Sequence, residues 1–96
     1  MQLHFTGRNI EVTPALKTFT QEKFERLMHR SQQITHVYIT FHVDKLLHSA
    51  EATAHLTGTE LHAKADDVDM YSAIDKLIDK LLVQITKYKE KLTDHH

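Results

Sequence analysis

The residues of this chain whose types and spacing could do chemistry are, first, its lysines and arginines. Near the C-terminus Lys76, Lys80, Lys87 and Lys91 recur so that, at ~100° per residue, they share an arc of roughly 60° on a helix. Gln84 fills the gap in that row. Asp75 and Asp79 fall on the other side of the same helix. Lys23, Arg26 and Arg30 cluster on one flank of an earlier helix, with Glu22 and Glu25 turned further from the sheet. Amines one helical turn apart, about 5.4 Å, are close in scale to the phosphate spacing of a nucleic-acid strand. A lysine is a mobile point charge without base-reading geometry, so such rows suit backbone contact rather than sequence readout. A solvated helix face with ordinary i, i+4 ion pairs explains the same spacing, and the pattern alone leaves both readings open.

Histidine is the second candidate. Strand alternation puts His4, His36, His42, His55 and His62 on one sheet face, with Tyr38 beside His55. A turn at Gly58-Thr59 would set His55 opposite His62, with side chains ~5 Å apart. A structural zinc site wants four ligands, and this chain has no cysteine to contribute. His36 and His42 are six residues apart on a strand, ~20 Å, so they cannot share an ion. The expectation is a polar, solvated face, on which acidification could add charge and favour RNA. His95 and His96 read as a frayed end. Among the acids, Asp66, Asp67 and Asp69 precede a helix and suit capping and the helix dipole better than a magnesium site. Asp75 and Asp79 have no neighbouring pocket to tune them as an acid/base pair, and Ser49 and Ser72 lack a nucleophile-elbow context. No enzyme chemistry and no cofactor are expected.

These side chains must be positioned by a short list of elements. Leu3 and Phe5 alternate with Gln2, His4 and Thr6 as a strand, which Gly7-Arg8-Asn9 ends. Thr13-Pro14 is a helix start, followed by Leu16, Phe19, Phe24, Leu27 and Met28 at helical spacing to about His29. Thr35 to Val43 alternates strictly; Ala50, Ala52, Ala54 and Leu56 continue the pattern, and Leu61, Ala63 and Ala65 follow the glycine turn. Met70, Ile74, Leu77, Ile78, Leu81, Ile85, Tyr88 and Leu92 make one long apolar helical stripe. Tyr71, Tyr88 and the phenylalanines are expected in the core.

The order β-α-β-β-β-α predicts an α+β, two-layer sandwich with a four-stranded mixed sheet. The first crossover makes strands one and two parallel, hairpins make the rest antiparallel, and both helices cover one face. At 96 residues the chain is one domain, residues 1–96. Its composition is too apolar for a disordered chain, and the absence of cysteine excludes a disulfide scaffold and a thiol nucleophile. No apolar run approaches a membrane span, and Met1-Gln2-Leu3-His4 lacks the regions of a signal peptide, so a cytoplasmic location without a membrane partner is expected. The formal net charge of −1 means that any polyanion binding must rest on charge sorted onto one edge.

The run Asp69-Met70-Tyr71-Ser72-Ala73-Ile74-Asp75, with Leu77, Asp79-Lys80-Leu81 and Lys87-Tyr88-Lys89-Glu90-Lys91-Leu92, resembles the short ribosome hibernation promoting factors of bacteria, in the ribosome-associated inhibitor / sigma-54 modulation protein family. Gly7 to Thr13, Gln33 to Tyr38 and Gly58 to Ala63 extend the likeness over nearly the whole chain. The resemblance implies a fold similar to double-stranded RNA-binding domains. It also implies binding to the small ribosomal subunit near the decoding centre, where messenger and transfer RNA sites are blocked. The implied outcome is inactive ribosome dimers and inhibited translation in stress or stationary phase, with a ribosome modulation factor as indirect partner. Carried over by position, Lys76, Lys80, Lys87, Lys89 and Lys91 with Lys23, Arg26 and Arg30 would contact rRNA, and Arg8 and Lys45 are candidates expected in loops. The alternatives are a stand-alone double-stranded RNA-binding module and a small histidine-dependent metal-binding protein.

Overall fold

In the computed structural model, which describes residues 1–93 and side chains through Glu90, six elements follow in order. They are β1 (Gln2–Arg8), α1 (Pro14–Arg30), β2 (Ile34–Asp44), β3 (Leu47–Leu56), β4 (Thr59–Asp67) and α2 (Met70–Thr93). The sheet runs β1-β2-β3-β4, with β1 parallel to β2 and the other pairs antiparallel. This is the expected two-layer sandwich.

Local chemistry sets the helix starts. Thr13 Oγ1 accepts the Leu16 N–H at 3.2 Å, and Pro14 occupies the first turn, where no N–H is needed. Asp69 does the same for α2: its carboxylate accepts both the N–H and the hydroxyl of Ser72, at 3.0 and 2.8 Å. Ser31 ends α1 by donating its N–H to the Leu27 carbonyl at 2.9 Å.

The core lies between the layers and sorts side chains by size. Ala50, Ala52 and Ala54 of β3 with Ala63 and Ala65 of β4 face inward and are buried. Against these small residues α2 sets Ile74, Leu77, Ile78, Leu81 and Ile85. Missing volume on the strands lets the helix backbone approach, and the long helical side chains fill the space between. Phe24 and Leu27 of α1 and Val37, Ile39 and Phe41 of β2 complete the core on the other side.

Three expectations are corrected. The first strand does not stop at Gly7: it continues through Arg8, which pairs with His42. Gly7 is there for space, since a Cβ would stand 2.3 Å from the Ile10 carbonyl oxygen of the loop folding back over it. The β3–β4 turn is Thr57-Gly58 rather than Gly58-Thr59, with Leu56 opposite Thr59 and Gly58 at φ 81°. That shift sets His55 opposite Glu60 and His62 opposite Thr53, so the expected His55–His62 pair does not form. Finally, Tyr71 is exposed rather than core, whereas Tyr88 packs against the core and donates its hydroxyl to Gln33 at 2.9 Å.

Candidate nucleic-acid interface

The lysine row of α2 is positioned by β4. Successive turns of α2 meet progressively earlier residues of the strand, in antiparallel sense: Lys76 with Asp67, Lys80 with Lys64, Gln84 with His62. Lys80 Nζ donates to the Lys64 carbonyl at 2.6 Å and Gln84 Nε2 to the His62 carbonyl at 2.7 Å. β4 is an edge strand, so these side chains close main-chain acceptors that no fifth strand is there to use. The glutamine in the row is thus part of the same device as its lysines.

The flank keeps its charge unevenly. Lys76 forms an ion pair with Asp67 at 2.7 Å. The hydrogen bond from that amine, and then the Val68 N–H, hold the Asp67 carboxyl below the usual carboxylate range. Lys80 bonds a neutral carbonyl and retains its full charge. Lys87 is exposed and makes no ion pair among the described residues. Lys89 lies off the row and has a partner of its own. Lys91 belongs to the last turn of α2, and its side chain lies outside the described residues.

On α1, Lys23 turns toward α2. It pairs with Asp75 at 3.1 Å and lies 5.2 Å from the centre of the Phe19 ring, which itself meets Tyr71 edge-on at 4.7 Å. Two successive turns of each helix meet in the same order, Phe19 to Tyr71 and Lys23 to Asp75, so the helices run parallel. Arg26 and Arg30 follow Lys23 at helical spacing on that flank, exposed and without an ion pair among the described residues. Both cationic flanks therefore face the β4 side, with α2 standing between them. Asp75, on an exposed face as expected, is the counter-charge of Lys23.

The remaining candidates are scattered. Lys45 is in a loop as expected: Lys45-Leu46 is the tight β2–β3 turn, with Lys45 at φ 59° and Leu46 fully presented to solvent at 84% exposed. Arg8 is on the open face of the sheet, away from both helices. Of the three aspartates expected to cap α2, only Asp69 does so; the Ser72 hydroxyl and then its N–H lower its pKa. Asp66 instead accepts from Ser49 at 2.6 Å, and Asp67 is taken by Lys76. Lys64, exposed on β4, is a cation the helix-based search passed over, although the alternation Glu60, His62, Lys64 shows its side. Five histidines share the open sheet face, and no group of three or more metal-ligating side chains forms among the described residues. His95 and His96 lie outside the described residues. No helix among those described is long and apolar enough to cross a membrane.

Fold and surface together define a two-layer β-α-β-β-β-α protein whose sorted feature is cationic side chains along its helices. The profile of the family described as Sigma 54 modulation protein / S30EA ribosomal protein matches residues 3–93, and the chain belongs to that family. It is 48% identical over 95 residues to the Ribosome hibernation promoting factor of Escherichia coli, covering 99% of this chain and 100% of that one. The Azotobacter vinelandii protein of the same name is 44% identical over 91 residues, 95% of this chain and 85% of that protein. Among solved structures, a ribosomal subunit interface protein from Coxiella burnetii superposes with a TM-score of 0.89 at 35% identity, over 93% of this chain and 98% of that one. The N-terminal domain of Thermus thermophilus Protein Y does so with a TM-score of 0.86 at 26% identity, over 92% and 99% respectively.

Proposed function

We propose that this protein is a ribosome hibernation factor that binds the small ribosomal subunit near the decoding centre and acts by occupancy, without catalysis. The observation that carries this reading is the charge left unspent on the helices: Arg26, Arg30 and Lys87 are exposed without acidic partners among the described residues, and Lys80 keeps its charge beside a neutral carbonyl. Such cations suit phosphate oxygens of rRNA without reading bases. A small rigid domain held there occupies space that messenger and transfer RNA need, so translation stops while the ribosome remains whole. Pairing of idle ribosomes, with a ribosome modulation factor as indirect partner, follows from the same binding event. The work is done where ribosomes are, in the cytoplasm.

The test replaces cations that make no ion pair among the described residues. Arg26→Glu, Arg30→Glu and Lys87→Glu combined should melt within a few degrees of the parent yet lose at least tenfold in co-sedimentation with small subunits. Substituting Lys76 and Lys80 is less clean, because one balances Asp67 and the other closes the β4 edge. Undiminished co-sedimentation of the triple variant would remove the helix flanks from the interface. Equal affinity for naked duplex RNA would favour a stand-alone double-stranded RNA-binding module.

A further inference from the structure

The face of the sheet opposite the helices has its own charge order. Arg8, His4, His36, Tyr38 and His42 stand on β1 and β2, where the open-face positions from Gln2 to Arg8 and from His36 to His42 include no carboxylate. The acids of this face, Glu51, Glu60 and Asp66, are confined to β3 and β4, apart from Asp44 at the end of β2. There they already have partners: Glu60 lies 3.2 Å from His55, Glu51 3.3 Å from His62, and Asp66 accepts from Ser49.

The acid-free half also presents rings. His4 stacks on Tyr38 with centroids 4.6 Å apart and planes 12° from parallel. His36 lies 5.6 Å from His4 and 6.4 Å from Tyr38, each at 23°, and His4 and His36 share a hydrogen bond at 3.4 Å. Tyr38 remains 48% exposed, and His55 supports it edge-on at 5.3 Å from the β3 side. Three near-parallel rings with a guanidinium beyond them are the parts from which single-stranded nucleic acid is bound: a surface for base stacking and positive charge for the backbone.

We propose that the open face of β1 and β2 binds single-stranded RNA, by stacking bases on the His4–Tyr38–His36 cluster and holding phosphates with Arg8 and the imidazoles. Imidazole gains its charge within the physiological range, so this half of the sheet becomes more cationic as pH falls. On β3 and β4 each such histidine has an acid beside it, His55 with Glu60 and His62 with Glu51, and the other charged groups facing this side are Asp66, Lys64 and Asp44. His4, His36 and His42 have no ion-pair partner among the described residues, so positive charge on this half is left for a phosphate. A duplex, with its bases already stacked inward, cannot use the rings.

The experiment is fluorescence anisotropy of the full chain with a labelled single-stranded oligouridylate of about ten nucleotides, at pH about 7.5 and about 6.0. Affinity should rise several-fold at the lower pH, and His36→Gln with His42→Gln should abolish that rise. Tyr38→Ala should weaken binding about tenfold at both pH values, while Tyr38→Phe, which keeps the ring, should restore it. The Arg26→Glu, Arg30→Glu, Lys87→Glu variant should bind the oligonucleotide as the parent does. Loss of oligonucleotide binding in that helix variant, with Tyr38→Ala unaffected, would overturn the proposal and leave the ribosome reading standing. No measurable binding at either pH, or displacement by inorganic polyphosphate as effective as by RNA, would overturn it as well. Open-face variants that lose the oligonucleotide but still co-sediment with small subunits would support it independently of that reading.

Discussion

Asp69 illustrates how much one side chain's role depends on geometry that the sequence only hints at. Three aspartates before a helix make a cap easy to expect, but which of them caps is decided by the exit path of β4. Asp66 and Asp67 are still in the strand, pointing to opposite faces toward Ser49 and Lys76, and only Asp69 stands at the helix start. Its carboxyl is held below the ordinary range by the Ser72 hydroxyl and N–H, so the ionised form is favoured by folding. A lowered pKa contributes stability that is present above the unfolded-state value, about 4, and lost as pH falls through the folded one. Asp69→Asn keeps a capping oxygen but cannot titrate. In thermal melts between pH about 7 and about 3, the variant should lose less melting temperature on acidification than the parent.

Elements were legible wherever one period ran unbroken, as in the stripe from Met70 to Tyr88 and the alternation from His36 to Val43. What escaped was information carried by contact between elements. Gly7 reads as a strand breaker because glycine usually is one; here the strand runs on and the glycine answers to the Ile10 carbonyl, three residues later in sequence and only 2.3 Å from a Cβ. Gly7→Ala should therefore destabilise the protein by about 1–3 kcal/mol, seen as a lowered urea midpoint with an unchanged slope, because main-chain atoms must shift to admit one methyl group. The Thr57-Gly58 turn was missed by one residue for a related reason: Gly58 takes the second position of the loop, and a one-residue change in the turn moves each cross-strand partner by two. Side alternation survives such a move, which is why the histidines were placed on the right face with the wrong neighbours.

For the molecule as a whole, the near-neutral sum of charges conceals a division of labour among cations. Lys23 and Lys76 tie elements together through Asp75 and Asp67, while Arg26, Arg30 and Lys87 face solvent without such ties. Helical periodicity found both groups, because both lie on the same flanks; it had no means of telling them apart, since their counter-charges come from another helix and from a strand. If the solvent-facing cations meet phosphates, the logarithm of small-subunit affinity should fall linearly with the logarithm of salt concentration. Replacing Lys87 alone by Ala should reduce that slope by about one, measured by sedimentation binding between about 50 and 200 mM monovalent salt.

The Lys80 and Gln84 contacts with β4 leave the sheet lopsided: one border is partly covered by side chains from α2, while the other, β1, has no strand on its outer side among the described residues. A growing fibre needs two adhesive borders on every unit, one to join and one to be joined. With β4 partly covered, strand pairing between copies is favoured at β1, where two copies meeting edge to edge would use up each other's open border.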